Sequence, residues 1–129
     1  MSARETILAA LLTALSGLCS GHVYRSRKEQ MPAIPAIVIR PEVEEDPGEM
    51  LGCSDLTLTV VIEIYARGEI PDQAADPVLA AVIVALKADN ALGLGTDVQI
   101  KPARRIEWAV ENYDDAGVTL RIDITYRTY

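Results

Sequence analysis

The hydrophobic pattern is clearest over Leu56-Thr-Leu-Thr-Val-Val-Ile-Glu-Ile-Tyr65, where Leu56, Leu58, Val60, Ile62 and Ile64 alternate with Thr57, Thr59, Val61, Glu63 and Tyr65. A period of two is that of a strand, and β-branched residues on both faces suit a central one. One face is wholly aliphatic and is expected to be buried. The other carries threonines, Val61, Glu63 and Tyr65, which suits partial cover or a subunit contact. Burying each aliphatic side chain is worth roughly 1.5–3 kcal/mol. Ordering the backbone costs about 1–2 kcal/mol per residue, so such a strand needs neighbours to persist.

The remaining segments supply them. Ser2-Ala-Arg-Glu5 is a capping-box pattern, and Ile7, Leu8, Leu11, Leu12, Leu15 and Leu18 follow as one helical stripe that closes near Gly17 and Gly21. Residues 22–27 suit a short first strand running into the basic Arg25-Ser-Arg-Lys28, read as a solvated face. Pro32 and Pro35 introduce a compact apolar strand, Ala36-Ile-Val-Ile-Arg40. Residues 42–52, rich in acids and broken by Pro47 and Gly48, read as a loop.

Beyond the central strand, Asp76-Pro77 predicts a second helix with Asp as N-cap and Pro at the first helical position. Val78, Leu79, Val82, Ile83, Val84, Leu86 and several alanines leave this helix little polar face. A helix apolar almost all round is buried on two sides, and in a small domain the second side is expected to be another subunit. The C-terminal third reads as a hairpin. Ile100, Arg104, Ile106, Trp108 and Val110 share one parity, Val118, Leu120, Ile122, Ile124 and Tyr126 another, and residues 112–117 have the composition of the turn between them. Helices and strands in this order predict a single α+β domain over residues 1–129, a mostly antiparallel sheet of about four to five strands covered by two helices.

Composition sharpens this picture. Half of the 129 residues are hydrophobic, with no Phe and a single Trp, so one aliphatic core is expected. The net charge of -7 argues against a broad phosphate-gripping surface. Glu42, Glu44, Glu45, Asp46 and Glu49 supply five of the negatives, and without them the chain stands at -7 + 5 = -2. Such a cluster repels itself, so the segment is expected to be mobile unless held, and its spacing does not match a calcium loop of the EF-hand type.

The chemistry-bearing residues are sparse. His22 is the only histidine, and Cys19 and Cys53 lie far apart, so neither a catalytic triad nor a zinc site is indicated and reduced, partly buried thiols are expected. Gly93-Leu-Gly95 is not followed by a glycine-rich helix start, and Asp114 and Asp115 read as turn formers rather than a catalytic pair. No catalytic, cofactor-binding or metal-binding residue is therefore assigned. No apolar run reaches the roughly 18 residues of a membrane span. Arg4 is cancelled by Glu5, and Leu18 precedes Cys19 where a lipoprotein site wants a small residue, so export is not expected.

Three stretches carry a resemblance. They are Ile34-Pro-Ala-Ile-Val-Ile39 leading into the acidic segment; Leu58-Thr-Val-Val-Ile-Glu-Ile-Tyr-Ala66 followed by Ile70-Pro-Asp72 and a helix; and Asp114-Asp-Ala-Gly117 continuing into Ile122-Asp-Ile-Thr-Tyr126. In this order, after an opening helix, the chain resembles the phage tail-terminator family, the minor tail protein U type. The basic region from Gly21 to Met31 departs from the family pattern. The resemblance implies a non-enzymatic virion protein of the tail, assembled in the host cytoplasm. It also implies a homo-oligomeric ring, a hexamer in that family, that contacts the tail tube protein and the head-tail connector or neck proteins, with DNA passing through unbound.

Three sets of residues become candidates on this reading. Glu42, Glu44, Glu45, Asp46 and Glu49 would line the channel or a neighbouring subunit; Val78, Val82, Val84 and Leu86 would make the subunit-contact helix; Arg105, Glu107, Arg121, Asp123 and Arg127, on the outward face of the hairpin, would meet the tube. A different neck protein, and a small-molecule binding module or enzyme with a pocket under the second helix, are the alternatives.

Overall fold

The computed structural model describes residues 2–25, 35–46, 48, 54–88, 91–95, 97–101, 105–110 and 115–128. Glu49, Arg27, Lys28, Cys53 and residues 112–114 of the expected hairpin turn lie outside them, while residues 115–117, also expected in that turn, are strand. In chain order come α1 (Ala3–Leu15), a 3₁₀ turn (Leu18–Gly21), β1 (Val23–Arg25), β2 (Ala36–Glu45), β3 (Ser54–Arg67), α2 (Pro71–Ala88), β4 (Val98–Ile100), β5 (Arg105–Val110) and β6 (Asp115–Thr128). The class is the expected α+β. The sheet has six strands rather than four or five, ordered β1-β2-β3-β6, with β4 and β5 sharing the far edge of β6. Every pairing is antiparallel except β1 with β2.

The predicted central strand is central. β3 pairs along its whole length with β6, from Ser54↔Thr128 to Arg67↔Asp115, and on its other side with β2. Alternation puts Leu58, Val60, Ile62 and Ile64 of β3 on one face with Val118, Leu120, Ile122 and Ile124 of β6, all essentially inaccessible to solvent. Ile37 and Ile39 of β2 join them, and Ile7, Leu8, Leu11 and Leu15 of α1 and Ala75, Leu79, Val82 and Leu86 of α2 close the same core. Both helices thus cover one face of the sheet, α1 over β1 and β2, α2 over β3 and β6.

The start of α1 follows half of its sequence signature. Ser2 Oγ accepts from the Glu5 N–H at 3.1 Å, as an N-cap should. The Glu5 carboxylate does not reach back to the cap; both its oxygens take hydrogen bonds from Arg25 of β1. The charge the capping box would have used locally pins the helix to the sheet edge instead.

Two expectations are corrected. The segment 42–52 was expected to be a loop from its first residue, yet β2 continues through Glu42, Glu44 and Glu45, paired with β3 as far as Glu45↔Thr57. The register shifts between Pro41 and Val43, a bulge that accommodates a proline beyond the point where β1 stops pairing. The second helix begins at Pro71, not at Asp76-Pro77. The Ala74 N–H donates to the Ile70 carbonyl at 3.0 Å, which makes Ile70 the cap and Pro71 the first helical residue. The same proline rule applies six residues earlier, and Pro77 sits exposed inside the helix without an N–H for the Gln73 carbonyl. Gly68 permits the tight entry, since a Cβ there would lie 3.1 Å from Cβ of Ala74.

This placement yields a direct test. A proline inside a helix costs up to about 3 kcal/mol relative to alanine, whereas proline at the first position is favoured. Pro77→Ala is expected to raise stability by about 1–3 kcal/mol in urea unfolding. A neutral or destabilising result would put the helix start back at Asp76.

Candidate functional site

Three carboxylates of the acidic segment, Glu42, Glu44 and Asp46, have partners among the described residues. Before the bulge, even-numbered residues of β2 share the outer face of the sheet with Val61 and Glu63. After it, Val43 and Glu45 pair with Thr59 and Thr57 on that face, while Glu44 pairs with Leu58 on the helix side. There Glu44 accepts from Arg4 of α1 (Oε2 to Nη2 2.5 Å, Nε 2.9 Å) and from the hydroxyl of Tyr126 at the end of β6. Glu42, at the bulge, stays on the outer face with both oxygens 3.3 Å from Nε of Arg121. Asp46 accepts from the Gly48 N–H at 2.9 Å. Glu45 is exposed, and Glu49 lies outside the described residues.

The electrostatics of the Arg4–Glu44–Tyr126 clamp follow from these contacts. The Arg4 guanidinium holds the Glu44 carboxyl below the usual carboxylate range against the opposing effect of burial, and the Tyr126 hydroxyl adds to the lowering. Burial, with the Glu44 carboxylate as acceptor, pushes Tyr126 up to about 12. Burial likewise raises the thiol of the free, half-buried Cys19.

The outer face of the sheet carries the predicted tube-contact residues, and the structure gives each an intramolecular partner. Arg127 forks onto Asp55, its ladder partner in β3 (Nε–Oδ1 2.7 Å, Nη2–Oδ2 3.1 Å). Asp123 accepts from the hydroxyl of its own ladder partner Thr59 at 2.8 Å. Arg121 reaches Glu107 at 2.5 Å as well as Glu42, and Arg105 lies 3.3 Å from the same Glu107 oxygen. Further along, Arg40 donates to Glu63 at 2.9 Å, and Glu63 also accepts from Tyr65. Val61 lies between Arg40 and Arg121 in the ladder and is fully buried, so the floor of this polar face is aliphatic.

The four α2 candidates separate. Val82 and Leu86 belong to the subunit's own core at 0% and 6% exposure, Val78 is half-buried against it, and Val84 points away at 67% exposure. At 100° per residue, Pro77 and Ala80 share the outward side with Val84, and both are exposed. A depression of about 390 Å³ is lined by residues of β3, β4 and β6 with Asp97 and Lys101, and by none of α2. It is thus not the pocket under the second helix that the small-molecule reading expected. Among the described residues no group of three His, Cys, Asp or Glu side chains is placed to hold a metal ion, and no helix is long and apolar enough to cross a membrane.

Sequence reading missed the Glu44 clamp, the Glu5–Arg25 pair and the outer-face pairing of Arg40 with Glu63. These join residues up to 82 positions apart in sequence. Pro41 was the one local signal, since a proline within a strand marks a bulge or an edge.

No protein-family model matches the chain, and no curated protein sequence matches it. Among solved structures, it is similar in fold to a chain of the virion of a native gene transfer agent particle, with a TM-score of 0.61 and 15% sequence identity over 95% of each chain. At that identity the likeness speaks for the fold alone.

The clamp generates a pH expectation. Glu44 is held below its ordinary value of 4.5, so its contribution is fully present above about pH 4.5 and is lost as pH falls through the folded value. Tyr126 is raised, so its contribution is present below its ordinary value of 10 and is lost as pH rises through about 12. In urea unfolding across pH, Glu44→Gln should lose stability near neutrality, with the gap to the parent narrowing in acid. Tyr126→Phe should flatten the alkaline limb. Parallel profiles for parent and variants would mean the clamp does not form in solution.

Proposed function

We propose that this chain is a structural protein of a phage-like virion, and within it the subunit that closes the head-proximal end of the tail tube and offers the surface for head-tail joining. The observation that carries the reading is the whole-chain likeness in fold to a gene transfer agent virion chain. The tail-terminator-like order of segments, from the opening helix to Tyr126, supports the finer role. A tube grows because each ring offers a heterologous face to the next. A ring that fits the last tube ring on one side and presents another surface on the other ends that growth by geometry, and needs no catalytic residue to do so.

In this proposal a ring of copies, a hexamer as in the terminator family, forms through the outward side of α2, where Val84 takes the role first assigned to Val78, Val82 and Leu86 as well. The outer sheet face, with Arg105, Glu107, Arg121, Asp123 and Arg127 already paired within the subunit, presents a fixed charge pattern that sets register against a tube ring. Glu45 and Asp46 keep the channel-facing role, because Glu42 and Glu44 are engaged by Arg121 and Arg4. Carboxylates there keep passing DNA from sticking.

Two measurements test this. Deleting the protein should give tubes longer than normal in electron micrographs. Tubes of normal length that fail to join heads would point instead to a neck protein, and normal tails on filled heads would remove both roles. Val84→Lys should abolish ring formation, by light scattering alone or with tails present, while changing stability by no more than about 0.5 kcal/mol, as for an exposed substitution. Rings formed as well by Val84→Lys as by the parent would rule out the α2 contact.

A further inference from the structure

We infer that the free edge of β5 pairs with β5 of a second copy of this chain, the two strands running antiparallel about Ile106. The inference does not rest on the virion reading. β5 bonds to β6 on one side, and among the described residues no strand pairs with its other side. An open edge presents unpaired N–H and C=O groups, and proteins blunt such edges with short strands, charged side chains, proline, bulges or cover. The opposite edge of this sheet is blunted: β1 has three residues, all half-buried, and Arg25 is tied to Glu5 of α1. Among the described residues β5 has no proline, bulge or cover, and only the charges of Arg105 and Glu107 stand against edge pairing. It pairs in unbroken register from Arg105↔Arg121 to Val110↔Ala116, without proline or bulge.

Its side chains are incomplete in the same way. Ile106 and Trp108 stand beside Leu120 and Val118, which are 0% and 1% exposed, yet are themselves 39% and 46% exposed. On the other face Arg105 stands directly across from Arg121, a like-charge pair that is unfavourable in a ladder. The counter-charge described for Arg105 is Glu107 of its own strand at 3.3 Å, an oxygen it shares with Arg121 at 2.5 Å.

A second copy supplies a partner for Ile106 and a counter-charge for Arg105. Antiparallel pairing centred on Ile106 sets Arg105 of each copy opposite Glu107 of the other, twice over, and brings the two Ile106 side chains together between them. The sequence Arg105-Ile-Glu107 is self-complementary only in this antiparallel arrangement. The contact is isologous and closes on itself, so it gives a dimer and not a ring. It is therefore separate from the α2 contact.

The chain's single tryptophan, Trp108, lies on this edge and reports on it. With rising concentration of the full chain carrying Val84→Lys, in which no ring forms through α2, sedimentation should show a doubling of mass, and Trp108 emission should shift to the blue along the same curve. Adding Ile106→Asp should abolish both with an unchanged circular dichroism spectrum. Ile106→Cys should yield a disulfide-linked dimer on mild oxidation that the parent chain does not, because only an isologous centre brings residue 106 against itself. A chain that stays monomeric with unshifted emission would overturn the inference. So would a dimer insensitive to Ile106→Asp, or association through this edge that leaves Ile106→Cys unlinked, which would place another strand there.

Discussion

The antiparallel ladder between β3 and β6 is the constraint from which the other features follow. It runs the length of both strands without a slip, and a shift of one residue would turn every side chain to the wrong face. With β3 held in place, a slip of β6 by one residue would replace Ile122 and Ile124 on the helix side with Arg121 and Asp123. Burying those charges beneath α2 would cost several kcal/mol per ion, which the aliphatic register avoids. The chain has no Phe, so the core depends on branched aliphatic packing between two helices and one sheet face.

The bulge in β2 is the second organising feature. By shifting register between Pro41 and Val43 it turns Glu44 from the outer face to the helix side, where Arg4 and Tyr126 wait for it. One extra residue thus ties the N-terminal turn of α1, the end of β2 and the end of β6 together. With Ser2 capping and Glu5 held by Arg25, the first turn of α1 is fastened by three separate contacts. Composition suggests a repelling run, and within it Glu42 and Glu44 meet different partners on different faces.

The surfaces left open divide by chemistry. The outer sheet face is polar and already paired over an aliphatic floor, so a partner there meets a fixed pattern of charge. The outward side of α2 carries the exposed Pro77, Ala80 and Val84, and the β5 edge combines exposed Ile106 and Trp108 with backbone that no strand pairs among the described residues. A protein whose work is assembly carries its specificity in surfaces of this kind, and the proposed terminator role asks for at least two of them at once.

The sequence alone determined the elements whose cause is local. Alternation over Leu56–Tyr65 made β3 legible, the Ser2 cap and the leucine stripe made α1 legible, and together with the hairpin periodicity they led to the α+β class. Local rules failed where two sites competed for one rule. The sequence reading applied the proline rule to Pro77, whereas the bond from Ala74 to Ile70 applies it to Pro71 and leaves Pro77 inside a helix held by packing on β3 and β6. Nor could the order of residues show that Glu42 meets Arg121, that Glu44 meets Arg4 and Tyr126, or that Asp55 meets Arg127. These contacts exist because register and a bulge bring distant strands side by side. Periodicity is written within a single element, whereas the pairing of charges is decided only when one strand is laid against another.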